Sequence, residues 1–347
     1  MNKILKEDLV NIINDSYMDY KKLENKTLFI TGSTGLIGSI LVKSIIYRNE
    51  KSDSKIKLIL PVRNIKKAEE MFGNTENIYY IESNIEQYEP KNMDIDYIIH
   101  MASPTQSKFF IDSPVETLDI SFNGTKRILE QAKISKVKSF VYLSSMEMYG
   151  TMNDNNVTEE KIGYINNLNE RSSYSEGKRT GELLSFCFYK EYGVPIKIAR
   201  LAQTFGAGIS LDETRVYKMF CDCVLQKKDI VLKTKGSTVI NYCYTTDVIK
   251  GILAILLNGK VGEAYNIVSD NMKMTILDSA KWLVKKYTKD EIKVVFDIDS
   301  KAFAPDNKMV LNNDKIRALG WTPKYNVLDG YDRLIKYLKE ENKWKIK

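Results

Sequence analysis

The segment T-L-F-I-T-G-S-T-G-L-I-G, residues 27–38, decides the fold. Residues 27–31 form a short apolar run of strand length, and residues 36–47 carry apolar side chains on one face at helical spacing. Between them Gly32, Gly35 and Gly38 stand three residues apart. Three glycines near a turn are weak evidence by themselves. Placed after the first strand and opening the first helix, they let the backbone turn tightly and approach a pyrophosphate, whose charge meets the free N–H groups of the helix start. Gly32, Gly35, Leu36, Ile37 and Gly38 are therefore the candidate cradle of a dinucleotide.

Working outward, the same alternation repeats. Strands are expected near residues 56–62, 78–81, 97–102, 140–144 and 196–201, with helices around 65–72, 115–134 and 174–192. Strands alternating with helices predict a doubly wound parallel α/β sheet of the Rossmann type, covered on both faces. The last third mixes short strands (230–232, 265–268, 293–296) with helices near 276–287 and 330–338, which reads as a smaller mixed α/β substrate lobe. The expected organisation is an N-terminal helical extension (1–25), a dinucleotide-binding domain (26–205, with 239–257 returning to it) and a substrate lobe (206–238 and 258–347). Ile4, Leu5, Leu9, Ile12 and Ile13 give the extension an amphipathic helix over 4–18 that packs on the main domain.

Composition narrows the function classes. The chain has 347 residues, 43% hydrophobic and 28% charged, so it buries an ordinary core without disulfides. Its 52 basic and 45 acidic residues leave a dispersed +7, which suits an anionic ligand and points to no nucleic-acid partner. Four cysteines (Cys187, Cys221, Cys223, Cys243) form no C-x-x-C pair, and the single histidine is His100, so no metal centre is expected. No segment resembles a signal peptide or a membrane span, so a cytoplasmic protein is expected.

Two further clusters carry chemistry. At the end of the second strand, where an acid usually takes the ribose hydroxyls of NAD, the sequence reads L-P-V-R-N (60–64). Arg63, with Lys66 and Lys67 nearby, suits a 2′-phosphate and so NADP; it equally suits the adenine face or solvent. Asn84, with Ile85 beside it, offers an amide oxygen where an acid often contacts adenine. Farther on, Y-S-E-G-K places Tyr174 and Lys178 on one helix face, where the lysine is expected to pull the phenol down toward neutrality. S-S-M-E-M-Y-G (144–150) lies at the C-terminal sheet edge, putting Ser145 within reach of the same proton and Glu147 nearby as a second acid or base.

From residue 26 onward these motifs resemble the extended short-chain dehydrogenase/reductase family of nucleotide-sugar epimerases, dehydratases and decarboxylases. H-M-A-S-P (100–104), S-S-M-E-M-Y-G and Y-S-E-G-K-R are most similar to strings of UDP-glucuronate decarboxylases. The resemblance implies a catalytic set of Ser145, Glu147, Tyr174 and Lys178, and NAD lined by Met101, Ala102 and Ser103. It also implies a structural role for His100, a nucleotide-diphosphate sugar as substrate, and a homodimer formed through helices 115–134 and 174–192. Three positions depart from the family. Met146 replaces the usual aspartate or serine, and a thioether donates no proton to a leaving hydroxyl, which disfavours 4,6-dehydration. Ile240 stands where an arginine meets the diphosphate, and Gln203 where asparagine is usual, leaving Arg215 as the expected phosphate ligand. A 4-epimerase, an NADP-dependent keto-sugar reductase and a cofactor-sensing binding protein are the rival readings.

Overall fold

The computed structural model describes residues 1–15, 19–269, 274–298 and 309–342. Five parallel strands follow the expected alternation: β1 (Thr27–Thr31), β2 (Lys57–Val62), β3 (Ile78–Glu82), β4 (Tyr97–His100) and β5 (Ser139–Ser145). Between them run α1 (Lys3–Ile13, ahead of β1), α2 (Leu36–Glu50), α3 (Ile65–Phe72), α4 (Ser107–Asp112), α5 (Pro114–Asp119) and α6 (Thr125–Ser135). After β5 come α7 (Ser172–Tyr192), β6 (Ile196–Leu201), β7 (Gln203–Phe205), α8 (Val216–Gln226), β8 (Ile230–Leu232), β9 (Tyr242–Tyr244) and α9 (Thr245–Asn258). The chain closes with β10 (Ala264–Ile267), α10 (Ile276–Thr288), β11 (Val294–Phe296), α11 (Asp314–Arg317) and α12 (Val327–Asn342).

The main sheet has the order β10-β6-β5-β4-β1-β2-β3, all parallel. The order reverses between β1 and β4, which is where an open sheet of this type leaves a crevice beyond its strand ends. Strand β1 is buried along its whole length, so its apolar run needs no alternation.

Three expectations are corrected. The strand expected at 265–268 and assigned to the substrate lobe is instead β10, the seventh strand of the main sheet, which ends at Ile267 and buries Tyr265, Asn266 and Ile267 beside β6. Strand β4 ends at His100 and not at residue 102, because the Thr31 hydroxyl accepts the N–H groups of Met101 and Ala102, both at 3.0 Å, and diverts them from the ladder. The helix expected over 115–134 is two helices joined by a π turn, Ile120–Gly124. That turn lies against α7 at Gly177, where a Cβ would stand 2.7 Å from Ser121 Oγ.

Helix α1 buries Ile4, Leu5, Leu9 and Ile12 against α2, α9 and α12. A fully buried Leu or Ile contributes roughly 1.5–3 kcal/mol. Its Asp8 carboxylate is also buried and accepts from Arg333 Nη2 (2.6 Å) and Tyr244 Oη (2.8 Å).

A buried polar anchor is Arg200 on β6. Its side chain and that of Glu182 on α7 are each only 8% exposed and meet at 2.7 Å. Arg200 Nη1 also donates to Tyr149 Oη (3.0 Å) and to the Glu159 carbonyl (2.6 Å). Removing one member strands a buried charge, so Arg200→Met is expected to lower unfolding free energy by about 3–5 kcal/mol. Adding Glu182→Gln should recover part of that loss. Urea titration of the two variants against wild type checks it.

Candidate functional site

Because strands β1 to β6 run parallel, their C-terminal ends share one edge, and the expected site residues gather there. Gly32 to Gly38 follow β1, Arg63 follows β2, and Asn84 and Ile85 follow β3. Met101, Ala102 and Ser103 follow β4; Ser145 ends β5 and Glu147 lies in the turn after it.

The three glycines do different work. Gly32 has φ +68°, and a Cβ there would come within 2.9 Å of the Ala102 nitrogen, so it both turns the chain and admits the segment that follows β4. A Cβ on Gly38 would stand 2.3 Å from the Gly32 carbonyl oxygen, so the first turn of α2 rests on the loop. Gly35 is exposed, has an extended φ/ψ, and a Cβ there meets only the Gly32 oxygen at 3.4 Å. It begins α2 without a side-chain cap, leaving the N–H groups of Leu36 and Ile37 outside the helix ladder. The protein tolerates a side chain at Gly35, and what that side chain would fill is the space over an uncapped helix start. These residues fit a pyrophosphate.

Beside the loop, Thr31 Oγ1 lies 2.8 Å from His100 Nδ1, and His100 Nε2 lies 3.1 Å from Thr125 Oγ1. Since Thr31 already accepts two backbone N–H groups, its own proton goes to Nδ1, and Nε2–H donates to Thr125. Burial, with Lys178 adding to it, lowers His100 to about 3, so it stays neutral and braces β1, β4 and α6.

On α7 the Tyr174 ring stacks on Phe110 of α4, with centroids 4.2 Å apart and planes at 8°. Burial pushes the phenol up to about 12, and Glu147 adds to the rise; the hydrogen bond from Ser145 and the charges of Arg215 and Arg171 act against it. Lys178 is buried and lowered to about 8 by desolvation, with Glu182 opposing. Its Nζ donates to the Leu143 carbonyl (2.8 Å) and lies 5.8 Å from the Tyr174 ring centroid. Burial, not Lys178, is the largest influence on the phenol, and it raises it.

Sequence reading missed three neighbours. Arg171 forks onto Glu147 at 3.1 and 3.5 Å; its position one turn before Tyr174 was the available signal. Glu213 pairs with Arg215 at 2.8 Å, so the expected phosphate ligand is already engaged with a carboxylate. Phe110 had no local signal. Gln203 is exposed at the start of β7, and the exposed Arg63 makes no polar contact among the described residues. No group of three or more potential metal ligands gathers among the described residues.

A glycine cradle at the switch point of a doubly wound sheet, with a tyrosine and lysine one helical turn apart beyond β5, defines a dinucleotide-dependent α/β enzyme. The chain belongs to the NAD dependent epimerase/dehydratase family, whose profile matches residues 28–268. It is 27% identical over 315 residues to UDP-glucuronic acid decarboxylase 1 of Arabidopsis thaliana, covering 89% of this chain and 68% of that protein. Among solved structures it resembles an epimerase from Methanothermobacter thermautotrophicus (TM-score 0.78, 22% identity, 95% of this chain and 96% of the other). It also resembles UDP-glucuronic acid 4-epimerase of Bacillus cereus (TM-score 0.76, 20% identity, 91% and 99%).

Gly35→Val is expected to retain the wild-type melting temperature and to lose NAD binding, whereas Gly38→Val should unfold at lower temperature. Thermal circular dichroism and isothermal titration with NAD separate the two. Retained NAD affinity in Gly35→Val would move the cradle elsewhere.

Proposed function

We propose that the protein modifies a nucleotide sugar through a transient 4-keto intermediate, and that its substrate is a UDP-glucuronate-like acid sugar that it decarboxylates. The observation that carries this is Glu147 held beside Tyr174 and Ser145, with a thioether at Met146 where dehydration would need a proton donor. The 27% identity to a UDP-glucuronic acid decarboxylase supports it.

In this reading Tyr174, as phenolate, takes the proton of the sugar 4-hydroxyl; Ser145 hydrogen-bonds the same oxygen and Lys178 supports the charge. Bound NAD supplies a reversible hydride acceptor for C4. A 4-ketone with a C6 carboxylate is a β-keto acid. Its C5–C6 bond breaks, carbon dioxide leaves, the electron pair passes into the enolate, and Glu147 manages the proton that C5 then takes. Gly32, Gly35, Leu36, Ile37 and Gly38 hold the pyrophosphate, Met101, Ala102 and Ser103 the nicotinamide half, and Asn84 and Ile85 the adenine side. Gln203 and Arg215 face the substrate diphosphate. We rank NAD ahead of NADP, although the exposed Arg63 side chain is suited to a 2′-phosphate.

The working unit is inferred to be a homodimer. Val115 (72% exposed), Leu118, Phe122, Leu183 (63%) and Phe186 set an apolar surface across α5, the π turn and α7 that a second copy covers. The described residues contain no helix long and apolar enough to cross a membrane, and all four cysteines are free thiols, which suits a reducing cytoplasm.

Tyr174→Phe is expected to cut turnover of UDP-glucuronate by roughly 10²–10⁴-fold. Glu147→Gln should spare the initial oxidation, so that NADH absorbance accumulates while carbon dioxide release slows. Unimpaired turnover of a nucleotide sugar without carbon dioxide would favour a 4-epimerase. Separately, Arg63→Ala should leave NAD affinity unchanged; a selective loss of NADP affinity in titrations of both cofactors would reverse the ranking.

A further inference from the structure

A second concave region lies away from the strand ends. Helix α1, Lys250 of α9, the segment carrying Lys324 and Tyr325, and Arg333 of α12 enclose an open cleft of about 1050 Å³. Its lining includes none of the residues assigned above to the dinucleotide, the sugar or proton transfer. All of the lining except Lys250 also falls outside residues 28–268, the part of the chain that matches the family profile.

The charge of the cleft is one-sided. Lys3, Lys6, Lys250, Lys324 and Arg333 line it, against the carboxylates of Glu7 and Asp15. Arg333 is occupied by Glu7 and by the buried Asp8 beneath, and Lys250 pairs with Asp15 at 2.6 Å. Both lining carboxylates are thereby engaged, while Lys6 and Lys324 have no carboxylate partner among the described residues.

Asn11 of α1 shows what the cleft is shaped for. Its amide oxygen accepts from Lys250 Nζ at 3.2 Å and from Lys324 Nζ at 3.1 Å, and its amide nitrogen donates to Tyr325 Oη at 3.3 Å. Two ammonium groups gathered on one neutral oxygen repel each other, the more so because the Lys250 side chain is only 3% exposed. Asp15 offsets one of them. An anion with several oxygens, set across both, offsets the other, and phosphate has that charge and shape. Tyr325 keeps the cations at this wall: Arg333 Cζ and Lys324 Nζ lie 5.0 and 5.6 Å from its ring centroid. The volume is that of a small-molecule site, roughly 300–1,000 Å³, and not of a single ion.

We propose that this cleft is a second ligand site, separate from the catalytic one, and that it binds a small molecule carrying two adjacent phosphates, held by Lys6, Lys250 and Lys324. The N-terminal helix is then one wall of a binding site as well as a packing element.

The test is isothermal titration of the full-length protein saturated with NAD, which fills the glycine cradle, using ADP and inorganic pyrophosphate as separate probes. Wild type is expected to bind both. The charge reversal Lys6→Glu/Lys324→Glu should weaken both by tenfold or more, and Lys6→Arg/Lys324→Arg should retain most of the affinity. Both side chains are exposed, so the melting temperature and NAD affinity of these variants should match wild type. Tighter binding of ADP than of pyrophosphate supports an organic diphosphate as the occupant; equal binding supports the inorganic ion. Arg215→Gln distinguishes the catalytic diphosphate site: the heat should survive that substitution. A heat lost in Arg215→Gln but kept in Lys6→Glu/Lys324→Glu overturns the proposal, as does the absence of heat with both probes. No turnover enters these measurements, so their outcome is independent of the decarboxylase reading.

Discussion

A guanidinium buried between the last central strand and the longest helix imposes the constraint on which the rest of the site depends. Arg200 cannot stay charged in the interior unless its donors are met, and they are met by residues of different parts of the chain: Glu182 of α7, Tyr149 after β5, and the Glu159 carbonyl. Tyr149 passes the requirement on to Asn266 of β10, and Asn266 reaches the carbonyls of Val157 and Asn312. One buried charge thus ties helix, loop, edge strand and C-terminal segment together. On α7, moreover, Tyr174, Lys178 and Glu182 follow one another at intervals of four, so they share one face. The carboxylate that anchors Arg200 fixes the rotation of the helix, and with it the direction in which the tyrosine and lysine point. The same carboxylate supports the charge on Lys178, which burial otherwise weakens.

A second constraint acts at the switch point. The glycine loop approaches β4 only because Gly32 has no side chain, and the approach is held by Thr31, whose hydroxyl serves Met101, Ala102 and His100 together. A histidine that stays neutral is required there. A charged imidazole would have two donors facing Thr31 and Thr125, and Thr31 has no acceptor capacity left. The sole histidine of the chain is thereby accounted for by packing and not by proton transfer.

Local patterns made the sheet legible. Apolar runs of strand length and helices with one apolar face placed β1 through β6 and α7 near their observed bounds, and a parallel sheet then necessarily gathers the strand ends on one edge. That is why Ser145, Glu147 and the glycines could be read as neighbours from spacing alone. Long-range pairing was not legible. Nothing local distinguishes β10 in the main sheet from a strand in a separate lobe, because its seat beside β6 is decided by Asn266 and the Arg200 network. The stack of Phe110 on Tyr174 and the engagement of Arg215 by Glu213 likewise depend on where distant or facing side chains turn, which a linear spacing does not encode.

The tyrosine's ionisation follows from this arrangement. Burial pushes the phenol up to about 12, with Glu147 adding to the rise and the Ser145 hydroxyl, Arg215 and Arg171 opposing it. Arg171 and Arg215 are each offset by a carboxylate, Lys178 spends a proton on the Leu143 carbonyl, Met146 brings no charge, and Ile240 supplies none. Each guanidinium that would favour the phenolate is bound to a carboxylate, and burial remains the largest influence on the ring.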